Sequence, residues 1–222
     1  MARFRDRREA GRELAVALAG HGRLDPVVLA LPRGGVPVAF EVAKALAAQL
    51  DVVLVRKIGA PGQEEFGIGA VADGVEPLVV LDAALVRHVG AGPDYIAAET
   101  RRQLAEMRRR RACYVGERPL LPVEGRTVIL IDDGVATGGT ARAALRAVRQ
   151  RGAARIVFAV PVAAAEALAR LRSEADELVC LHAPAGMGAV GEFYARFEAT
   201  SDQEVIALLA DAASDSGSRA GP

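Results

Sequence analysis

The chain has 222 residues, 51% of them hydrophobic and 25% charged, and its 28 basic and 28 acidic side chains give a formal net charge of zero. The length predicts one well-buried domain with additions, and the composition excludes a disordered or membrane-spanning chain. The balanced charge argues against nucleic acid as a general partner.

The N-terminal segment "MARFRDRREAGREL" has charges throughout and no apolar core region, so it does not fit a secretory signal. The longest apolar stretch, "IVFAVPVAAA" from Ile156, is far shorter than the roughly 20 residues of a membrane helix. We therefore expect a cytoplasmic protein without a membrane span. Cys113 and Cys180 lack partners at metal-ligand spacing, so no structural zinc site is expected.

Short apolar runs alternate with helical patterns along the chain. After an expected entry helix over residues 1–20, the runs lie at 27–31, 52–55, 78–81, 128–131, 156–160 and 178–181. The helical patterns cover residues 36–50, 140–152 and 163–175. Continuous apolar runs are typical of strands that are covered on both faces. We predict an α/β fold, doubly wound around a mostly parallel sheet, with ligand sites beyond the carboxyl ends of the strands.

Additions surround this predicted core. We assign residues 1–212 to a single domain and residues 213–222, which are small and polar, to a disordered tail. The Gly-rich segment 56–75 is expected to form a loop with a short strand. Residues 84–111 end in a helical pattern, and part of the segment 59–116 is a candidate flexible insertion that closes as a lid.

The fourth apolar run leads into "VILIDDGVATGGT", residues 128–140. Its small-residue loop can turn several N–H groups toward one point where the next helix begins, which favours an anion such as a phosphate monoester. Asp132 and Asp133 would be repelled by that anion, but they suit the vicinal hydroxyls of a ribose. The motif predicts a sugar phosphate ligand. The alternative is an Asp-Asp-Gly turn with an N-capping aspartate.

Two other strand ends carry glycines or positive charge. In "LPRGGVP", residues 31–37, the glycines allow the backbone to approach a ligand closely, and Arg33 offers charge to an anion. The stretch "RKIGAPG" puts Arg56 and Lys57 at the same predicted edge. The alternatives are a tight turn and a solvated basic pair.

The stretch "VILIDDGVATGGT" resembles the phosphoribosyl-pyrophosphate (PRPP) motif of type I phosphoribosyltransferases. The chain as a whole, including "EFGIGAVADG" and "VGEFYARFEATSDQEV", resembles the bacterial subgroup described only as predicted phosphoribosyltransferases. The resemblance implies the type I fold with a small hood. It also implies Mg²⁺-dependent transfer of a phosphoribosyl group from PRPP to a nitrogenous base or related acceptor, with release of pyrophosphate, as part of nucleotide metabolism.

The resemblance also implies roles for individual residues. Asp132 and Asp133 would contact the ribose hydroxyls, and "PRGG" is similar to the pyrophosphate loop, which often has a non-proline cis peptide, here expected before Arg33. The basic pair Arg56 and Lys57 is similar to family positions near the pyrophosphate. The implied catalytic residues are Arg33, Lys57, Asp132 and Asp133. The implied PRPP-binding residues are those four with Gly34, Gly35, Gly134, Val135, Ala136, Thr137, Gly138, Gly139 and Thr140.

The resemblance leaves the acceptor unnamed. Ala136 occupies the position where hypoxanthine-guanine enzymes carry an aspartate, which argues against that specificity. A hood over residues 182–200 would let Phe193 or Tyr194 stack on a base, although Phe193 and Phe197 alternatively pack a helix onto the core. Mg²⁺ is expected through PRPP and water near Asp132 and Asp133, without a dedicated protein site.

Two other functions remain open. The same pocket could belong to a non-catalytic regulatory protein that binds PRPP or a nucleotide. The basic segment 101–111 could bind a nucleic acid or protein partner, which the balanced charge disfavours. A homo-oligomer is an open option for the assembly.

Overall fold

The computed structural model describes residues 4–74 and 76–217 and contains seven helices and eight strands within those residues. In chain order they are α1 (Arg7–Ala17), β1 (Val27–Ala30), α2 (Gly35–Leu46), β2 (Gln49–Val52), β3 (Val55–Ala60), β4 (Gln63–Ala72), β5 (Leu78–Leu81), α3 (Ala83–His88), α4 (Pro93–Val115), β6 (Thr127–Ile131), α5 (Gly139–Gln150), β7 (Arg155–Val162), α6 (Ala165–Leu171), β8 (Glu177–His182) and α7 (Asp202–Gly217). Two 3-10 segments cover Ala19–Leu24 and Val190–Phe193.

The larger sheet has five parallel strands in the order β2-β1-β6-β7-β8. The chain runs outward from β1 to β2 on one side and from β6 through β7 to β8 on the other. The strand order therefore reverses between β1 and β6, where α/β sheets of this kind open a crevice at their carboxyl ends. We call this crevice the switch point. The loops that follow β1 and β6 both begin there.

Both faces of this sheet are buried. Successive side chains of a strand point to opposite faces, so Val28 and Ala30 of β1 pack with α1, α2 and α7, whereas Val27 and Leu29 pack with α5 and α6. Two-sided burial explains the continuous apolar runs in the sequence. The predicted fold class, a doubly wound and mostly parallel α/β sheet, is confirmed.

The smaller sheet consists of β3, β4 and β5, all antiparallel. The β3–β4 pairing shifts register around Gly59, where an added Cβ would lie 2.5 Å from the Glu64 carbonyl oxygen. The sheet packs against α5 and α4, and it covers the start of α5 just after the β6 loop. The segment 56–75 was predicted as a loop with a short strand, but its residues 56–72 form most of this hairpin.

Four predicted boundaries or placements were wrong. The run 52–55 is not one strand, because β2 ends at Val52 and β3 of the other sheet begins at Val55; the intervening residues are buried between the two sheets and are apolar for that reason. The run 78–81 belongs to the antiparallel sheet. The helix predicted to reach residue 50 ends at Leu46, since Ala47 adopts a left-handed conformation with φ of 55°.

The fourth difference concerns the tail. Helix α7 continues to Gly217, so residues 213–217 are helical, and the rest of the predicted tail, 218–222, lies outside the described residues. Leu208, Leu209 and Ala212 anchor α7 in the core shared with α2. In the described part of the chain, no helix has the length and apolar character needed to cross a membrane.

Candidate functional site

The loop after β1 is pressed against the loop after β6 at the switch point. The Pro32–Arg33 peptide bond is cis, as predicted. A Cβ added at Gly34 would lie 2.0 Å from Oδ2 of Asp133, and one at Gly35 would lie 2.8 Å from the Ile131 carbonyl oxygen. The sequence suggested that these glycines let a ligand approach. The structure adds that a larger residue at either glycine position would prevent the two loops from touching.

The paired carboxylates are partly buried at this contact. The Asp133 N–H donates to Oδ1 of Asp132 at 2.9 Å, and the Arg7 Nε donates to Oδ2 of Asp133 at 2.7 Å. The Arg7 and Asp133 side chains are only 12% and 14% exposed. Burial, followed by the charge of Asp133, raises the pKa of Asp132 well above its ordinary value, and the charge of Arg7 acts in the opposite direction. One cation thus faces two adjacent acids.

A cluster of aromatic side chains lies behind Asp133. The Tyr194 hydroxyl donates to the Asp133 carbonyl oxygen at 2.5 Å, and burial is the main cause that raises the pKa of Tyr194. Phe193 and Tyr194 are 4% and 5% exposed and pack with Phe4 and Val162. Phe197 stacks on Tyr194 at a centroid distance of 4.9 Å.

This burial bears on the role predicted for Phe193 and Tyr194. In the structure both rings are covered by protein, so stacking on a base would require them to be uncovered, and their base-binding role stays a prediction. The alternative is confirmed in that Phe193 and Phe197 pack onto the core, but the helix that it assumed is wrong. A 3-10 segment ends at Phe193, and Tyr194 is extended.

The loop after β6 divides into an anchored half and an open half. Val135 is buried, and its N–H donates to the Val162 carbonyl oxygen at 3.0 Å. A Cβ added at Gly134 would lie 2.4 Å from Val190. The open half begins at Ala136. Within residues 4–74 and 76–217, the N–H groups of Ala136, Thr137 and Gly138 donate to no protein acceptor.

The open half leads directly into helix α5. Gly138 precedes its first residue and has a φ of 83°, which favours glycine, and no side chain caps the helix. The first N–H groups of a helix lack partners within it and carry a partial positive charge. The loop and the helix start together therefore leave several donors without an acceptor among the described residues; their convergence on one phosphate stays a prediction.

A cavity of about 300 Å³ lies between this loop and the smaller sheet. Thr137, Gly139 and Thr140 line one wall, and Lys57 of β3 with Arg142 of α5 add two cations. Neither cation forms an ion pair with the described residues. The cavity thus combines open N–H groups, hydroxyls and positive charge, which is the donor set for a phosphate.

The structure separates the three basic residues predicted to converge. Lys57 lies beside the loop after β6. Its neighbour Arg56 points to the other face of β3, where its Nε donates to Oε1 of Gln103 at 2.9 Å. Arg33 stays at the switch point, with a 45% exposed side chain whose Nη1 lies 3.8 Å from Oδ1 of Asp202.

Arg7 is the contact that sequence reasoning missed. It lies 126 residues before Asp133 in a segment with several arginines, and no motif marks it. The available signal was indirect, because two adjacent carboxylates at the end of a buried strand need a counter-charge. That signal did not identify which arginine supplies it.

Comparison with known proteins agrees with this geometry. The family model described as "Phosphoribosyl transferase domain" matches residues 5–191. Two proteins of Mycobacterium tuberculosis, each named "Putative phosphoribosyl transferase", are 47% identical over 207 residues, which is 93% of this chain and 46% of theirs. The chain therefore spans about half the length of these curated relatives.

A solved structure is similar over nearly the whole chain. The crystal structure of TT1426 from Thermus thermophilus is 50% identical, covers 94% of this chain and 98% of its own, and superposes with a TM-score of 0.81. The family model, these relatives and the strand order around the switch point agree, and the chain belongs to the phosphoribosyl transferase domain family.

Proposed function

We propose that this protein transfers the phosphoribosyl group of PRPP to a nitrogenous base or a related small acceptor and releases pyrophosphate. The observation that carries the proposal is the junction after β6. There, two carboxylates are followed by a loop whose open half, from Ala136 to Gly138, has N–H groups without acceptors among the described residues, and then by an uncapped helix start. A ribose with a 5-phosphate is complementary to both halves, since its hydroxyls donate to carboxylates and its phosphate accepts from N–H groups.

The sugar phosphate would be held by two groups of residues. Asp132 and Asp133 accept hydrogen bonds from the ribose hydroxyls. The open half of the loop, from Ala136 to Thr140, holds the 5-phosphate, with Lys57 facing it across the cavity. Gly134 and Val135, predicted as phosphate ligands, serve in this proposal to anchor the loop, because the Val135 N–H already has a backbone acceptor.

The pyrophosphate would lie over the loop after β1. The Gly35 N–H donates to the Leu31 carbonyl oxygen, so the N–H groups of Arg33 and Gly34 are the ones available to an anion, together with the Arg33 guanidinium. Departure of pyrophosphate leaves positive charge on the ribose ring, which the two carboxylates would stabilise. The residues at this edge exclude bulk water from one side of the sugar.

Mg²⁺ is part of the proposal. The carboxylate oxygens of Asp132 and Asp133 are hard ligands of the kind Mg²⁺ accepts directly or through water. When bound, Mg²⁺ would neutralise charge on the pyrophosphate and so make it a better leaving group. Asp133 offers Oδ1 for such a contact, because Oδ2 is occupied by Arg7.

One class of acceptor base can be argued against from the sequence of the loop. A hypoxanthine-guanine specificity is disfavoured because Ala136 has no group that hydrogen-bonds a purine ring. We propose that adenine-like or uracil-like bases are the first acceptors to test, since the "ATGGT" loop is closer to those enzymes.

The test measures pyrophosphate release with PRPP, Mg²⁺ and a panel of bases. We expect release that depends on one base and is lost in the double variant Asp132→Asn/Asp133→Asn. Asp25→Asn is the control, because the Asp25 side chain is 92% exposed and is not part of the site. PRPP binding without turnover for any base would support the regulatory alternative, and absence of PRPP binding by the wild type would contradict both functions.

A further inference from the structure

Arg7 makes three separate contacts beside the carboxylate pair, and the first of them is with Asp133. Its Nε donates to Oδ2 of Asp133 at 2.7 Å, and its Nη1 donates to the Glu198 carbonyl oxygen at 2.8 Å. Its guanidinium carbon lies 3.9 Å from the centroid of the Phe197 ring. A planar guanidinium can donate in two directions and stack at the same time, whereas a lysine ammonium cannot. The side chain is therefore held in one orientation.

The surroundings of Arg7 also lead back to Asp133. Phe197, on which Arg7 stacks, packs on Tyr194, and the Tyr194 hydroxyl donates to the Asp133 carbonyl oxygen. A Cβ added at Gly34 would lie 3.1 Å from the Arg7 Nε, so the loop after β1 closes over the same point. Arg7, Phe197 and Tyr194 thus support the main chain and the side chain of Asp133 together.

We propose that Arg7 is a positioning residue that holds the Asp133 carboxylate in the orientation in which Oδ1 can accept a ribose hydroxyl. The inference rests on the proposed function. Asp132 and Asp133 repel each other, and Arg7 is the cation that fixes one oxygen of the pair. Without it, Asp133 is expected to turn toward solvent, and the donor would have to reorder the carboxylate on binding.

The test compares PRPP affinity, measured by calorimetry with Mg²⁺, among single variants of neighbouring arginines. Arg8→Gln is the matched control, because Arg8 follows Arg7 in the same helix, its Nη1 lies 3.2 Å from Oε1 of Glu41, and its guanidinium carbon lies 5.4 Å from the centroid of the Phe40 ring. We expect Arg7→Gln to raise the Kd for PRPP roughly 10- to 100-fold, the range for loss of a hydrogen bond to a charged group. Arg7→Lys should give a smaller increase, and Arg8→Gln none.

A double variant separates positioning from general damage. If Arg7 acts through Asp133, Arg7→Gln should change the Kd little once Asp133→Asn is present. An equal effect in both backgrounds, or equal effects of Arg7→Gln and Arg8→Gln, would overturn the inference. Should Arg7→Gln fail to fold, Arg7→Lys against Arg8→Lys makes the same comparison. Wild-type protein that binds no PRPP would refute the proposed function itself. If the wild type binds PRPP and Arg7→Gln binds it with the same Kd, only this inference is refuted.

Discussion

Two arginine–aspartate clusters lie away from bulk water in this molecule, and they use their oxygens differently. The switch-point cluster, Arg7 with Asp132 and Asp133, lies at the strand ends beside open N–H groups. The sheet-junction cluster, Asp51, Asp73, Arg111 and Arg151, lies where the parallel sheet meets the antiparallel one. In the first cluster, Oδ2 of Asp133 is held by Arg7, and Oδ1 is the oxygen that the proposal assigns to the ligand.

At the sheet junction, both oxygens of Asp51 accept hydrogen bonds from protein donors. Its Oδ1 accepts the Val52 N–H at 2.8 Å, and its Oδ2 accepts Nη2 of Arg111 at 2.9 Å and the Leu121 N–H at 3.3 Å. These partners come from β2, the end of α4 and the segment before β6. Asp51 thus joins three parts of the chain that are distant in sequence.

Asp73 is the less satisfied member of that cluster. Its Oδ1 accepts the Leu54 N–H at 2.8 Å, but its buried Oδ2 has no hydrogen-bond partner among the described residues and lies 3.7 Å from Nη1 of Arg111. Burial is the main cause that raises the pKa of Asp73 to about 6. Nη1 of Arg151 is likewise buried without a partner in the part of the chain that the structure describes.

The difference teaches that residue type alone does not mark a binding site. Both clusters contain buried aspartates with arginine partners. Only the switch-point cluster lies at the carboxyl ends of parallel strands, where glycine loops meet and donors for a phosphate are open. We therefore expect changes at the junction to affect stability, and changes at the switch point to affect ligand binding.

The largest expected effect in free energy is for Asp51→Asn. The amide would turn a donor toward the Arg111 guanidinium and the Leu121 N–H, so the free energy of unfolding should fall by roughly 3 to 5 kcal/mol, as for a broken buried ion pair. Denaturant unfolding measures this change. Asp25→Asn, which breaks an exposed pair with Arg126, should cost only about 0 to 1 kcal/mol. If Asp51→Asn weakened PRPP affinity while leaving stability intact, the distinction between the clusters would be wrong.

The next effect is the pH dependence of Asp73→Asn. The folded-state pKa of Asp73 is raised from 3.8 to about 6, so the folded state binds the proton more tightly, and ionisation destabilises it as pH rises through this window. The full penalty, up to about 3 kcal/mol, is present above the folded pKa. Asparagine keeps an acceptor for the Leu54 N–H and removes the penalty. The free energy of unfolding of the variant minus that of the wild type should increase between pH 5 and pH 7.5, measured by denaturant unfolding; a difference independent of pH would contradict this.

The smallest effect on stability among these three variants is expected for Gly34→Ala, which should also weaken binding. Its Cβ would displace the Asp133 carboxylate, and overpacking of this kind costs roughly 1 to 3 kcal/mol. We expect PRPP affinity to fall by a comparable amount in calorimetry. Gly20→Ala is the control, because nothing lies within 4 Å of a Cβ there. Normal PRPP affinity in Gly34→Ala would show that the contact between the two loops is dispensable.

Much of the fold followed from local patterns. Strands β1, β6 and β7 of the parallel sheet are buried almost throughout, and burial on both faces produces continuous apolar runs that differ from helical periodicity. The runs at 52–55 and 78–81 misled because a buried connection and a strand of another sheet are apolar for the same reason. The pattern records burial, and it does not record which sheet provides it.

By itself, the sequence determined the parallel α/β core and the carboxylate pair before a small-residue loop. Both depend on residues that are adjacent in the chain, so the local chemistry is legible without coordinates. The cis peptide of "PRGG" was expected only through the resemblance to the family. Only the tertiary structure decided that Arg7 supplies the counter-charge, that Lys57 and not Arg56 faces the loop after β6, and that Phe193 and Tyr194 are covered. Those outcomes depend on which strand face and which distant segment come together, and packing across more than a hundred residues of chain leaves no local pattern.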